Sequence, residues 1–392
     1  MAPAKSVIFL TISIFVVLSL VYTLRLGRPE VLVWDEQYHV AAAQSYRTGY
    51  KPAYLNRRNP PLGKELIALS VRAFGENYFA YRLPSALSAA ALGALLFFTT
   101  VWLTRRWEGG ALALLLWLSS TLALLHARLA MLDMPAALFF FAGLAAFLPV
   151  LRDPAGMHPA RWIHLACLLA ALGGAVKPIG YLLFPLFFLG LVAVRGVYPL
   201  RRSLPQLLAA ALWTIVMTLV ASYGVLGFAP AEIVTEIRRI FALQGFLHKG
   251  HAGLSSWHEW FLGRGELWYL SRPGPEGRRF AALCVQNPVL FGLGALAVLG
   301  LAVRAALRKD PIDVFLAAAV PAQLLFWALF KEQTILSYAL PMVPVFCLNV
   351  AYALSLAVRP SVYYRVWSLC LAAAAGIFFY KAFPEVWGAF LP

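Results

Sequence analysis

Residues 6–24 read SVIFLTISIFVVLSLVYTL, nineteen uncharged residues between Lys5 and Arg25. As a helix rising about 1.5 Å per residue, such a run spans roughly 28 Å, close to the ~30 Å hydrocarbon core of a bilayer. It is too long for a signal-peptide core, and no small-x-small cleavage pattern precedes Arg25, so it reads as a retained first transmembrane helix. Comparable runs recur along the chain, near 84–104, 110–126, 134–150, 162–176, 178–194, 205–226, 287–304, 312–330, 338–357 and 366–382, which with 7–24 makes about eleven expected spans. Because the runs are continuous rather than alternating, they point to helices and not to barrel strands. Of 392 residues, 61% are hydrophobic and 13% charged, about half the charge of an ordinary soluble domain, which excludes a soluble globular enzyme. The fold class is an all-α polytopic membrane protein, with residues 1–392 forming one membrane-embedded unit.

Two linkers are too long to be turns. Residues 25–83 follow the first span and 227–286 follow the seventh, so parity places both on one side of the membrane. The short loops of the other side hold Arg105, Arg106, Arg152, Arg161, Arg195, Arg201, Arg202, Arg304, Arg308, Lys309, Arg359 and Arg365. With Lys5 they account for 13 of 33 cations, and the positive-inside rule makes that side cytoplasmic. The net charge is +16, and 20 cations remain on the far side, sixteen of them in the two long loops. That excess runs against the topological bias and points to anionic substrate groups. Nucleic acid is not the expected partner, because no soluble basic and aromatic surface exists. Cys167, Cys284, Cys347 and Cys370 are too dispersed for a disulfide framework or a zinc ribbon.

Within the first long loop, amphipathic stretches from Asp35 to Thr48 and from Leu62 to Phe74 read as helices at the membrane surface, the second carrying Leu62, Leu66, Leu69 and Ala73 on one stripe. Trp34-Asp35-Glu36 opens the first of them. Asp35 there is either an N-cap, with Glu36 complementing the helix dipole, or a carboxylate placed to take a proton from an attacking hydroxyl. Asn59-Pro60-Pro61-Leu62-Gly63-Lys64 is a stiff turn into the second helix. A cation is usually unfavourable at a helix N-terminus, and Lys64 beside the free N–H groups suits a bound phosphate better than a snorkelling role. Arg82 enters the second span from the same side. In the short outer loop before Met134-Pro135, Arg128 and Asp133 read as charges at a span end, Asp133 as an N-cap. Lys177, in Gly173-Gly174-Ala175-Val176-Lys177-Pro178-Ile179-Gly180, reaches either the interface or a cavity. In the second long loop, Gln244, His248, His251, Ser255, Trp257, His258, Glu259 and Trp260 cluster. His-x2-His with a later His-Glu lacks the second half of a zinc site, so no metal is assigned, and the tryptophans suit either an interfacial belt or a sugar face.

Taken in order, these motifs resemble the protein O-mannosyltransferase family, integral-membrane glycosyltransferases of the GT-C fold that use polyprenyl-phosphate sugars. The resemblance rests on Asp35-Glu36, Asn59 to Lys64, Arg82, Arg128 with Asp133, Gly174 to Gly180, the segment from Gln244 through Ser255, Ser256, Trp257 and Trp260, Asn287-Pro288, and Ser337-Tyr338 with Pro341. Asn59 stands where the family has His, Pro178 where it has Trp, Ala252 where it has Pro, and Gln286 where it has Gly. The resemblance implies a compact bacterial member in the plasma membrane, its site facing the periplasm or cell exterior. It implies inverting transfer of a mannosyl or related group from a lipid-linked donor to Ser or Thr of a protein acceptor. Asp35 would then be the base, with Glu36 supporting it or holding a divalent cation. Lys64, Arg82, Arg128 and Lys177 would bind the donor phosphate, while Asn59, Asp133, His248, His251, Ser255, Trp257 and Asn287 would shape the sugar and acceptor sites. The departing lipid phosphate needs no general acid, and no cofactor is required. A sibling transferase acting on a lipid or glycan, of the aminoarabinose type, and a polyprenyl-phosphate lipid transporter are the alternatives; charges confined to span ends and one-sided loops speak against the transporter.

Overall fold

A computed structural model describes residues 5–47, 58–155, 158–244, 254–262, 264–273, 279–330, 334–358 and 361–387. The helices among them are α1 (Lys5–Thr23), α2 (Glu36–Arg47), α3 (Leu62–Phe74), α4 (Tyr78–Thr104), α5 (Trp107–Leu118), α6 (Thr121–Ala127), α7 (Asp133–Arg152), α8 (Pro159–Val176), α9 (Leu183–Ala193), α10 (Leu200–Gly224), α11 (Pro230–Gln244), α12 (Pro288–Arg308), α13 (Pro311–Phe330), α14 (Met342–Ala357) and α15 (Ser361–Trp387). The protein is an all-α polytopic membrane protein, although two short antiparallel ribbons also occur. β1 (Leu254–Ser255) pairs with β4 (Thr334–Ile335), and β2 (Leu267–Pro273) pairs with β3 (Arg279–Cys284). These ribbons had no counterpart in the pattern of apolar runs.

Eight helices among the described residues are long and apolar enough to cross a bilayer, fewer than the eleven expected spans. The expected span at 110–126 is α5 and α6, which meet at a bend of 74°. Ser119 ends α5 by bonding back to the Leu116 carbonyl at 2.7 Å, and Ser120 caps α6 by accepting from the Ala123 N–H at 3.2 Å. Two uncharged serines therefore break the helix without interrupting the hydropathy. The expected spans at 178–194 and 366–382 are shorter apolar helices, Pro178–Ala193 and Tyr364–Ile377.

Small residues set the helix spacing, as packing inside a bilayer requires. On α4, a Cβ at Gly93 would lie 2.7 Å from Leu18 of α1 and 3.4 Å from Trp117 of α5. On α7, a Cβ at Gly143 would meet Leu183 at 2.7 Å and the α8 backbone at Ala166 and Ala170. The surface helices form where expected, but α3 uses its other face against the protein: Gly63, Lys64, Ile67, Ala68, Ser70 and Val71 are buried, whereas Leu69 of the apolar stripe is 62% exposed. Ala73 of the stripe is exposed as well, Leu62 and Leu66 are half-buried, and Lys64 is buried.

Candidate active site

The first long loop is pinned by Arg82 and Glu36. Arg82 Nε donates to Glu36 Oε1 at 2.9 Å and Nη2 to Oε2 at 3.1 Å; Nη1 donates to the Leu26 and Pro29 carbonyls and Nη2 also to Val31. All five guanidinium donors are used. Glu36 completes its own set by accepting from the Val33 N–H at 2.9 Å and the Ala130 N–H at 2.7 Å. Both side chains are fully buried. This saturated pair joins α2 and α4 to the chain leaving α1. It corrects two expectations: Arg82 has no donor left for a phosphate, and Glu36 has no lone pair left for a cation. Arg128 is buried too, and donates to the carbonyls of Tyr22, Leu24 and Arg25. It thereby satisfies the carbonyl end of α1, where positive charge is favourable. These bonds give it a structural role at the end of α1.

Asp35 is separated from its neighbour by one step along the helix, since adjacent residues face different ways. While Glu36 is sealed, Asp35 is half-buried, and its charge acts on Lys177, Tyr269 and Tyr338. Its carbonyl accepts from the Tyr38 and His39 N–H groups, starting α2. Trp34 precedes it with φ 51°, in the left-handed region that a bulky residue rarely adopts.

Lys177 Nζ donates to Asp133 Oδ1 at 2.7 Å and lies 4.9 Å over the Tyr338 ring. Asp133 is thus the partner of a lysine rather than an N-cap; Leu132 occupies the cap position without a side-chain bond. The turn that presents Lys177 is exceptionally close. A Cβ at Gly180 would lie 2.2 Å from the Gly174 nitrogen, and one at Gly174 would lie 2.2 Å from the Tyr181 ring. Asp133, Lys177, Trp327, Tyr338 and Pro341 surround a void of about 10 Å³, room for about one water. Charges in such a dry setting interact far more strongly than in bulk water.

Lys64 reaches the same region. Its Nζ donates to the Asn59 carbonyl at 2.8 Å, and burial, the largest effect, pulls its pKa down to about 7 against the attraction of Glu65 and Glu236. Burial likewise raises Glu65 to about 7, partly offset by Lys64. Gly63 makes this approach feasible, because a Cβ there would meet Leu132 at 2.8 Å and Val176 at 3.0 Å, the residues preceding Asp133 and Lys177. His39 faces Lys64, Lys177 and Asp133; burial first and the two lysines next push its pKa down to about 3, so its imidazole is neutral at working pH.

His39, His126, Tyr269 and Arg58 were not anticipated. His126 Nδ1 lies 2.8 Å from the Leu122 carbonyl, which can only accept, so Nδ1 carries a proton, and Nε2 shares a hydrogen bond with the Tyr269 hydroxyl at 2.9 Å. Tyr269 in turn meets Trp34 edge-on at 5.7 Å. Arg58 is exposed, and its charge acts on Tyr338. A lone His in an apolar run or an Arg in a loop carries no local signal of such contacts.

Two other expected residues lie elsewhere. Asn287 is fully buried: it caps α12 by accepting from Val289 and Leu290, and Nδ2 donates to the Ser119 and Ala375 carbonyls. It bonds helices rather than sugar. Ser255 is buried within the β1–β4 ribbon, its Oγ accepting from Trp260 Nε1 at 3.0 Å and its carbonyl from Thr334 at 2.6 Å. That ribbon ties the second loop to the turn bearing Tyr338. Trp257 is half-buried beside His258. Asn59 contributes its carbonyl to Lys64, and His248 and His251 fall outside the described residues.

Solved structures share this architecture. The S. cerevisiae protein O-mannosyltransferase Pmt1–Pmt2 complex bound to the sugar donor superposes with a TM-score of 0.79 at 12% identity, covering 99% of this chain and 91% of that one. ArnT from Cupriavidus metallidurans in the apo state gives 0.61 at 19% identity, over 97% of this chain and 65% of ArnT. The archaeal oligosaccharyltransferase AglB from Archaeoglobus fulgidus gives 0.55 at 15% identity, over 96% and 56%. At these identities the likeness establishes the GT-C fold alone. No curated protein matches the sequence. The family model for dolichyl-phosphate-mannose-protein mannosyltransferases matches residues 12–226, which hold Asp35, Lys64, Asp133 and Lys177. With more than half of its length inside that match, the chain belongs to the dolichyl-phosphate-mannose-protein mannosyltransferase family.

Proposed function

We propose that the protein is an inverting glycosyltransferase that moves a mannosyl or related group from a polyprenyl-phosphate donor to Ser or Thr of a protein, on the extracytoplasmic face of a bacterial plasma membrane. The observation that carries this reading is the convergence of one half-buried carboxylate, Asp35, with Lys177 and the dry Asp133–Lys177–Tyr338 cleft. Family membership and the shared fold support a lipid-phosphate donor.

The acceptor hydroxyl attacks the anomeric carbon as the bond to phosphate oxygen breaks. Its proton passes to Asp35, the group with room to receive it, and a positioned base of this kind contributes about 10²- to 10⁴-fold. Negative charge grows on the leaving phosphate, where Lys177 and Lys64 are placed to meet it. Asp133 orients Lys177, and Arg58 adds a further cation at the mouth. Arg82, Arg128 and Glu36 act at one remove, by holding the loop that carries Asp35.

Transfer from radiolabelled polyprenyl-phosphate mannose to a mixed acceptor pool, run beside Asp35→Asn and Lys64→Ala, tests the reading. Label on protein hydroxyls, lost in both folded variants, supports it. Label only on lipid or glycan would move the chain towards the ArnT-like branch, and saturable donor binding without transfer would point to a transporter.

A further inference from the structure

A second cavity lies towards the other end of the bundle. α7 begins at Asp133 and ends at Arg152, and its residues that line this cavity, from Ala142 to Arg152, lie about 14 to 29 Å along the helix from Asp133. Between α4, α7 and α8 the helices leave a cleft of about 730 Å³, well inside the roughly 300–1,000 Å³ of ligand pockets. The cause is local: Ala142, Ala145 and Ala146 form a floor too small to fill the space, and Phe98, Leu165 and Leu169 wall it. Leu165 is 41% exposed and Trp162 42%, so the cleft opens sideways onto the bilayer.

Charge gathers at its rim, where Arg105, Arg152, His158 and Asp153 all line the opening. Arg152 is held in place, donating to the Trp102 carbonyl at 2.8 Å with its guanidinium 4.6 Å over the Trp102 ring. Arg105 caps the end of α4 in the left-handed conformation, is exposed, and makes no side-chain hydrogen bond or ion pair among the described residues. The two arginines lie close enough to repel one another, and Asp153 forms no ion pair with either among the described residues. Trp102 and Trp162 beside them are the residue type that marks the headgroup level.

We propose that this cleft is a binding site for an anionic phospholipid of the leaflet on that face, with an acyl chain on the alanine floor and the phosphate between Arg105 and Arg152. A soluble anion would leave the apolar walls uncovered. A lipid without net charge would leave the paired cations only partly compensated. The site is independent of the transfer chemistry, since nothing at the Asp35 end is involved.

Native mass spectrometry of the full chain, released from micelles carrying equimolar phosphatidylglycerol and phosphatidylcholine, tests this. Phosphatidylglycerol should be retained about 25-fold more, with each arginine contributing about fivefold. Arg105→Gln should cut the preference about fivefold. Ala145→Trp, which fills the floor, should remove retention of both lipids. Arg201→Gln, an exposed cation elsewhere on the same face, should change nothing. Equal retention of the two lipids, a preference undiminished by Arg105→Gln, or displacement of the lipid by millimolar inorganic phosphate would overturn the proposal. Arg105 is exposed, so its variant is expected to fold even if Arg152→Gln does not.

Discussion

Replacing Glu36 and Asp35 in turn by their amides separates a structural acid from a chemical one in adjacent positions. Glu36 accepts four hydrogen bonds, two from Arg82 and one each from the Val33 and Ala130 N–H groups. Glu36→Gln keeps the shape but turns one oxygen into an NH2 that faces donors, so two of those bonds are lost. It also leaves the Arg82 charge sealed without a counterion. Breaking a buried pair from one side costs about 3–5 kcal/mol, and each stranded donor about 1–3 kcal/mol within that total. At roughly 2 °C per kcal/mol, the thermal midpoint in detergent should fall by about 5–10 °C. Asp35→Asn should leave the midpoint within about 1 °C while transfer falls by about 10²- to 10⁴-fold. The paired assay is differential scanning fluorimetry with initial-rate transfer on the same preparations. A Glu36→Gln protein as stable as the parent, yet as inactive as Asp35→Asn, would refute the division of labour.

With Lys64 meeting the donor phosphate as proposed, donor binding should depend on pH: its folded pKa is depressed to about 7, so its ammonium is complete below that value and lost above it. Affinity for a non-transferable polyprenyl phosphate, measured by calorimetry from pH 6 to 9, should therefore weaken as pH rises through about 7, by at most about tenfold per unit; Glu65 gains its negative charge in the same window. A flat profile would show that Lys64 does not meet the phosphate. Gly63→Ala should lower transfer by about tenfold or more with folding retained, because a Cβ 2.8 Å from Leu132 pushes Lys64 away from Asp133 and Lys177. Asn287→Ala should cost about 2–3 kcal/mol of stability, from a lost cap and stranded carbonyls, without changing the apparent donor affinity; a selective loss of affinity would return it to the sugar site.

The motifs were legible unevenly, for physical reasons that differ by residue. Asp35, Lys64 and Lys177 stood out because a charge beside an apolar run needs a reason, and all three lie in one electrostatic neighbourhood. Arg82, Arg128 and Asn287 stood out equally, and there the structure supplies a structural reason: they donate to carbonyls, and Arg82 also to a carboxylate, from segments distant in sequence, such as Leu26 and Ala375. A motif reports that a polar group is required, not whether protein or ligand satisfies it. His126 and Tyr269 went unnoticed, because they touch across 143 positions of chain.

Continuous apolar length and the one-sided placement of cations are local properties, and they sufficed for an all-α membrane protein with two long loops on one side. Helix breaks at uncharged Ser119-Ser120, the exposure of Leu69 on α3 and the β1–β4 ribbon depend on packing and on partners far along the chain. So does the separation of Asp35 from Glu36: one residue of helical rotation places one carboxylate in a sealed pair with Arg82 and leaves its neighbour half-buried beside Lys177, a difference that arises only when α2, α4 and α8 meet.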